Sequence, residues 1–295
     1  MELLSNCPIC NNAVFSFYLE CKDYTVSHET FKLVQCDECC FVFTNPRPTK
    51  EEINKYYLSE DYISHSNNTK GFFNFVYQKV RKYAIRRKIS LIDKLKVRNK
   101  TALDYGCGTG QFLNALKVRS WDVTGIEPSV EVRKDATSTY NLNIYDPSYL
   151  VELKNEQFGL ITLWHVLEHV HNLNSTFSHF NRILNAKGNL IIAVPNRESW
   201  DAKYYSEFWA AYDVPRHLYH FSIKNIKQLA FANNFHVKKI IPMPFDPFYI
   251  SLLSEKYKSP KTNYFHALLS GIKTSIWGMK DIKNNSSLIY ILEKK

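Results

Sequence analysis

From residue 101 onward the chain alternates short apolar runs with stretches whose apolar positions recur every three or four residues. The runs predict strands over 101–105, 121–127, 142–145, 158–164, 189–194, 235–241 and 287–293. The periodic stretches predict helices over 110–118, 129–140, 174–185 and 223–233. Such alternation implies an α/β fold: a parallel sheet with helices on both faces and ligands at the carboxyl ends of its strands. No crossover helix of ordinary length stands out between the last two strands, so 242–285 reads as an insert. Ahead of residue 101 the pattern changes. Residues 13–19 and 30–35 read as strands, Asn45-Pro-Arg-Pro48 as a punctuated linker, and 49–98 as mainly helical, starting at Thr49 with Glu51 and Glu52 in the first turn. The division expected is therefore 1–48, then 49–98 as a linker or lid, then 99–295 with inserts near 196–222 and 242–285.

The strand at 101–105 ends in Asp104 and drops into Gly106, Gly108 and Gly110. Alternating glycines let a chain turn sharply and bring its backbone against a ligand. A dinucleotide fingerprint asks for a third glycine or alanine where this chain has Gln111, and Asp104 suits a ligand with a positive end better than a diphosphate. The next strand ends in Glu127, placed to accept both hydroxyls of a ribose. The loop alone leaves a plain turn or a dinucleotide enzyme open. Four ordered stretches between 103 and 196, LDYGCGTG, GIEPS, FGLITLWHVLEHV and LNAKGNLIIAVPN, resemble class I S-adenosylmethionine-dependent methyltransferases. The resemblance implies a Rossmann-like sheet with an antiparallel last strand and S-adenosylmethionine as methyl donor. It implies that Asp104, Gly106, Gly108, Gly110 and Glu127 hold the donor, with Asp146 as the candidate adenine contact.

Titratable groups gather after the strand at 158–164, in His165-Val-Leu-Glu168-His169-Val-His171. The spacing H-x-x-E-H also matches an inverted zinc-protease motif, but that motif needs a continuous helix and here a strand runs up to His165. The segment resembles the H-V-L-E-H-V stretch of ubiquinone-type O-methyltransferases, which implies a place near donor and acceptor and, in some members, a divalent metal. That family usually has Phe-Asp where this chain has Phe158-Gly159, a departure expected to affect capping. A second cluster, Asp213-Val-Pro-Arg216-His217-Leu-Tyr219-His220-Phe221-Ser222, follows a run of aromatics from Trp200 to Tyr212 and resembles a segment of zinc-ribbon methyltransferases. The alternative is that these aromatics fill the core and the histidines are satisfied hydrogen-bonding partners. Ser222 reads as a helix N-cap. The expected catalytic set is His169 or His217 as general base, with Glu168 orienting a histidine or binding a metal, and His165 beside them.

Six of the seven cysteines fall in the first 40 residues, four of them as Cys7-x-x-Cys10 and Cys36-x-x-Cys39. Two such knuckles supply four thiolates for a closed tetrahedral zinc site, which stabilises folding and leaves no open position for catalysis. Disulfides and a redox pair are the competing readings; nothing else in the chain suggests an oxidising compartment. Cys40 is the substitute ligand if one is needed.

The 295 residues carry a net charge of +10, concentrated over 79–100, where Lys and Arg interleave with apolar residues at helical spacing. A solvated amphipathic helix is the simpler reading, and a surface for RNA or anionic lipid the other. No apolar run is long enough to span a membrane and no basic-then-apolar leader is seen, so a cytoplasmic location is expected. A small-molecule acceptor fits best. An RNA methyltransferase is the nearest rival, but neither an Asn/Asp-Pro-Pro-Tyr/Phe motif nor a catalytic cysteine is evident. A non-catalytic zinc-ribbon binding protein with a degenerate methyltransferase fold is the third reading, disfavoured by the intact glycines, Glu127 and both histidine clusters.

Overall fold

The computed structural model describes residues 1–57, 72–259 and 261–295, with side chains excepted at 72–78; part of the predicted helical segment, 58–71, lies outside the described residues. The amino-terminal part holds β1 (Phe15–Lys22), β2 (Thr30–Cys36) and β3 (Val42–Thr44), followed after a short turn of helix by α1 (Phe72–Leu95). Then come β4 (Thr101–Tyr105), α2 (Gln111–Lys117), β5 (Asp122–Ile126), α3 (Val130–Tyr140), β6 (Asn143–Tyr145), β7 (Phe158–Trp164), α4 (Leu173–Ile183) and β8 (Leu184–Pro195). The chain closes with α5 (Trp200–Tyr205), β9 (Tyr219–His220), α6 (Ile223–Ala232), β10 (Phe235–Pro242), α7 (Asp246–Lys258), α8 (Tyr264–Lys280) and β11 (Ser287–Lys294).

Seven strands form one sheet in the order β10-β11-β8-β7-β4-β5-β6, with β11 antiparallel to both neighbours and the other pairings parallel. This is the α/β architecture expected from the alternating pattern. The order reverses between β4 and β7, which start one half of the sheet each, and such a switch point opens a crevice at the strands' carboxyl ends. The central strands are apolar on both faces because helices cover both; six of the seven residues of β7 are buried. On one side α4 contributes Leu173, Phe177, Phe180 and Ile183, a stripe at helical spacing that is fully buried. Truncating Phe177 to alanine there costs about 3–5 kcal/mol. On the other side Ile89 and Ile92 of α1 pack with Phe112, Leu113 and Leu116 of α2.

Three local outcomes differ from the pattern reading. β8 starts at Leu184, five residues earlier than expected, because Leu184 pairs with Phe158 across a bulge although the polar stretch Asn185 to Gly188 looks like a turn. The insert after β10 is a pair of helices, α7 and α8, hidden from the reading because the small and polar residues of α8 face inward. Gly159 answers to packing rather than capping: a Cβ there would lie 2.1 Å from the Asn99 carbonyl oxygen, so the strand start tolerates no side chain.

The smaller sheet has the order β1-β2-β3-β9, and its last strand comes from the far side of the large sheet in sequence. Arg216, nearly without exposure, ties the two sheets together through Asp213 Oδ1 at 2.6 Å, Asp23 Oδ1 at 3.0 Å and the Tyr56 carbonyl at 2.9 Å. One continuous hydrophobic core runs from Phe41 and Phe43 of the small sheet to Leu163 and Phe177 of the large one.

Candidate active site

The crevice at the switch point is lined first by the loop after β4. Gly106, Gly108 and Gly110 all have positive φ, and a Cβ on Gly108 would meet nothing within 4 Å, so a ligand has direct access to its backbone. Glu127, at the end of β5, fixes that loop: its Oε2 accepts the Gly108 N–H and its Oε1 the Ser129 N–H, both at 3.0 Å. Burial raises its pKa in spite of those bonds. Each oxygen keeps a second lone pair for a hydroxyl. Asp104 is 3% exposed, accepts from the Thr162 hydroxyl at 2.5 Å, and is pushed by burial up to about 7. A carboxylate so desolvated favours a cationic partner. Asp146 sits at the rim, where it caps the following turn through the Ser148 N–H at 3.0 Å and takes Arg133 at 3.4 Å.

Helix α1 crosses this site. Arg81 donates to the Thr109 hydroxyl at 2.7 Å, and Lys88 holds its ammonium 4.3 Å from the centre of the Trp164 ring. Burial lowers the Lys88 pKa to about 8, partly offset by Asp104 and Asp246. The basic helix thus turns two of its cations inward.

The second group of residues stands at the end of β7. The strand closes on His165, whose φ of 57° is rare for a residue with a side chain and breaks the strand so that the next residues bend over the crevice. Glu168 is fully buried and, among the described residues, neither carboxylate oxygen receives a hydrogen bond; His165 Nδ1 lies 3.5 Å and His217 Nε2 4.0 Å from its Oε1. Burial works against its charge, but contact with His165 and the neighbouring histidines holds the carboxyl below its ordinary value. His165 also meets Asp246 at 3.1 Å; burial would lower its pKa, and the two carboxylates instead push it up to about 10. His165 is therefore a cation at neutral pH and has no free lone pair for a proton.

His169 and His217 differ from it. Their rings meet edge to face at 4.7 Å. Burial, with the neighbouring His217 acting in the same direction, lowers the His169 pKa to about 4, so His169 is neutral. Its Nδ1 lies 3.0 Å from both the Arg216 carbonyl and the Tyr57 hydroxyl; since a carbonyl only accepts, a proton on Nδ1 goes to Arg216 and leaves Nε2 with its lone pair. His217 donates from Nδ1 to the Ala211 carbonyl at 2.8 Å, which likewise frees its Nε2. One donor atom each from Glu168, His169 and His217 lie within 4.8 Å of one another. The two sequence clusters are joined directly, for the Leu218 N–H donates to the Glu168 carbonyl at 2.8 Å.

Sequence reading placed Arg81 and Lys88 only within the basic stretch 79–100 and Asp246 only within the insert 242–285, and gave Tyr57 no role. The His220 ring, by contrast, is buried against Thr44 at 3.3 Å and serves the seam between the sheets. Trp209, Tyr205 and Tyr212 are core residues.

At the other end of the small sheet, Cys7 Sγ lies 3.5 Å from Cys39 Sγ and Cys10 Sγ 3.5 Å from Cys36 Sγ, and all four sulfurs are within 4.8 Å of one another. A tetrahedral site with ~2.3 Å zinc–sulfur bonds sets sulfurs about 3.8 Å apart, so the cluster fits that ion. Cys21 and Cys40 stay outside it.

A family model described as "Methyltransferase domain" matches residues 77–240. No curated protein matches the sequence. Among solved structures the chain is similar to a putative sarcosine dimethylglycine methyltransferase from Galdieria sulphuraria, with 16% identity over 74% of this chain and 87% of that one and a TM-score of 0.53. It is similar to a SAM-dependent methyltransferase from Archaeoglobus fulgidus, with 16% identity over 76% of this chain and 100% of that one and a TM-score of 0.51. A third is the geranyl diphosphate C-methyltransferase from Streptomyces coelicolor A3(2), in complex with Mg2+, geranyl diphosphate and S-adenosyl-L-homocysteine, with 13% identity over 78% of this chain and 86% of that one and a TM-score of 0.53.

Proposed function

This chain belongs to the methyltransferase-domain family and is an S-adenosylmethionine-dependent enzyme, and we propose that it methylates a small-molecule acceptor, at oxygen or carbon, beside Glu168, His169 and His217. The observation that carries this reading is Glu168, a fully buried carboxylate with no hydrogen bond to either oxygen among the described residues, 4.0 Å from Nε2 of His217. A carboxylate buried with imidazole contacts no closer than 3.5 Å is poorly compensated for its lost water, and sites that carry that cost are commonly functional.

The donor supplies an electrophilic methyl group on a sulfonium, transferred by in-line displacement. Gly106, Gly108 and Gly110 would offer backbone to it, Glu127 would accept from its ribose, Asp104 would balance its positive end, and Asp146 is proposed at the adenine edge. What this chain adds is alignment and proton removal. His217, its Nδ1 fixed on Ala211, presents Nε2 as general base, with the His169 ring beside it. His165, held between Asp246 and Glu168, positions the acidic group rather than taking a proton. Glu168, His169 and His217 together also suit a divalent cation, whose role is to lower the pKa of a bound hydroxyl.

The likeness of residues 165–170 to the ubiquinone-type O-methyltransferases supports oxygen as the methylated atom. We further propose structural zinc on Cys7, Cys10, Cys36 and Cys39, a division into a ribbon at 1–48, a linker at 49–98 and the catalytic part from 99, and a cytoplasmic location. Among the described residues no helix is long and apolar enough to cross a membrane. The inward use of Arg81 and Lys88 weakens the case for an RNA substrate on the basic helix.

The test is methyl transfer from radiolabelled S-adenosylmethionine to a panel of hydroxylated small molecules, run beside bulk tRNA and rRNA. Label in the small-molecule fraction, absent in a Glu168→Gln variant that still binds donor, is expected. Label in RNA alone would refute the reading.

A further inference from the structure

Helix α8 is amphipathic the wrong way round for a helix facing water. Its buried face consists of Ala267, Ser270, Gly271 and Thr274, and a Cβ on Gly271 would lie 2.6 Å from the Phe248 ring of α7, so small residues let the two helices pack closely. The large apolar residues stand on the opposite face: Phe265, Leu268, Leu269, Ile272, Ile276 and Met279 are between 37% and 81% exposed. At about 100° per residue these six fall within an arc of about 100°, a continuous stripe along roughly 21 Å of helix. Single exposed apolar side chains need no explanation, but a stripe running the length of a helix marks a contact surface.

The charges at its border name the occupant. Helix α8 contains no acidic residue, Lys273 and Lys280 flank the stripe on one side, and Lys256, Lys258 and Lys261 lie just before it. A second copy docked by the same face would set lysines against lysines. An anionic lipid surface takes the apolar stripe into its acyl boundary and the lysines into its headgroups. Tyr264, 68% exposed at the edge of the stripe, is a residue type that settles at that boundary. We propose that α8 docks this enzyme in the plane of an anionic membrane surface, as a peripheral rather than a spanning contact.

Flotation of the full chain with vesicles of phosphatidylcholine alone and of phosphatidylcholine mixed with phosphatidylglycerol tests this. Binding to the mixed vesicles that weakens in high salt is expected. A Leu268→Glu/Ile276→Glu variant should lower that partitioning about tenfold or more. Both positions face away from the fold, and unchanged donor affinity and circular dichroism check that the variant is folded. Should it misfold, Lys273→Glu/Lys280→Glu changes only exposed charges and should give the same loss. No binding by the unaltered chain, equal binding to neutral vesicles, or a dimer in light scattering that the glutamates dissolve without any vesicle binding would each overturn the proposal.

Discussion

Val166 occupies the space that a side chain at Gly106 would need: a Cβ at that position would lie 2.4 Å from Val166 Cγ2. The glycine loop and the segment carrying His165 to His169 are thus packed directly on one another, which brings the two proposed halves of the site into one crevice. Gly106→Ala introduces both this clash and a strained positive φ of 76°. A loss of about 2–4 kcal/mol is expected, together with weaker donor binding. Thermal melts and donor titration check it. Val166→Ala should restore part of the stability, since it removes the clash but not the strain; no restoration at all would show that the contact is not the cause.

Glu127→Ala removes the carboxylate that holds the Gly108 and Ser129 N–H groups. Donor affinity should fall by about 10- to 100-fold by calorimetric titration, since a charged hydrogen-bond acceptor is worth about 1.5–3 kcal/mol. Unchanged affinity would remove Glu127 from the donor site.

His217→Ala should leave donor affinity as it is and lower turnover by about 10²-fold or more, the usual worth of a positioned base. The His165→Ala variant should behave differently, because His165 acts through Glu168. Its pH–rate profile is expected to shift, which simple loss of packing would not produce.

Asp104 gives the free enzyme a distinctive pH response. Its folded pKa, about 7, lies above the ordinary 3.8, so its protonated form contributes stability that is complete below the lower value and is lost as pH rises through the higher one. Donor affinity runs the other way and rises as the carboxylate ionises. Melting temperatures and donor titrations compared between the native chain and Asp104→Asn should show both trends disappear in the variant.

The cysteine cluster predicts one zinc per chain by elemental analysis. Stripping it with a chelator, or Cys36→Ser, should lower the melting temperature, since a structural site contributes folding free energy directly. A metal-free preparation with the same melting point would leave the four thiols as mere neighbours.

The order of elements in the large sheet was legible because each strand and helix announces itself by a local period. That the glycine loop and both histidine clusters stand at the carboxyl ends of the strands was legible because each follows a predicted strand or lies between two of them. What escaped was decided by tertiary contact. Nothing local marks Tyr57 as a partner of His169, or Asp246 as a partner of His165. The reversed face of α8 hid it from a reading that looks for apolar residues turned inward. A two-residue strand such as β9 carries no period at all, and Gly159 is explained only by the Asn99 carbonyl that lies against it.

The pairing of β3 with β9 bears on how the molecule is made. Val42 finds its partner His220, and Thr44 its hydrogen-bonding neighbours His217 and His220, only after some 175 further residues have been added. A segment made well before its partner strand is therefore finished only once that partner has been added. Its cysteines can gather while the edge of β3 still waits unpaired, exposed to other nascent chains. Early capture of metal would then act as a holding step during synthesis, keeping the ribbon in shape until the acceptor side of the enzyme arrives to close it.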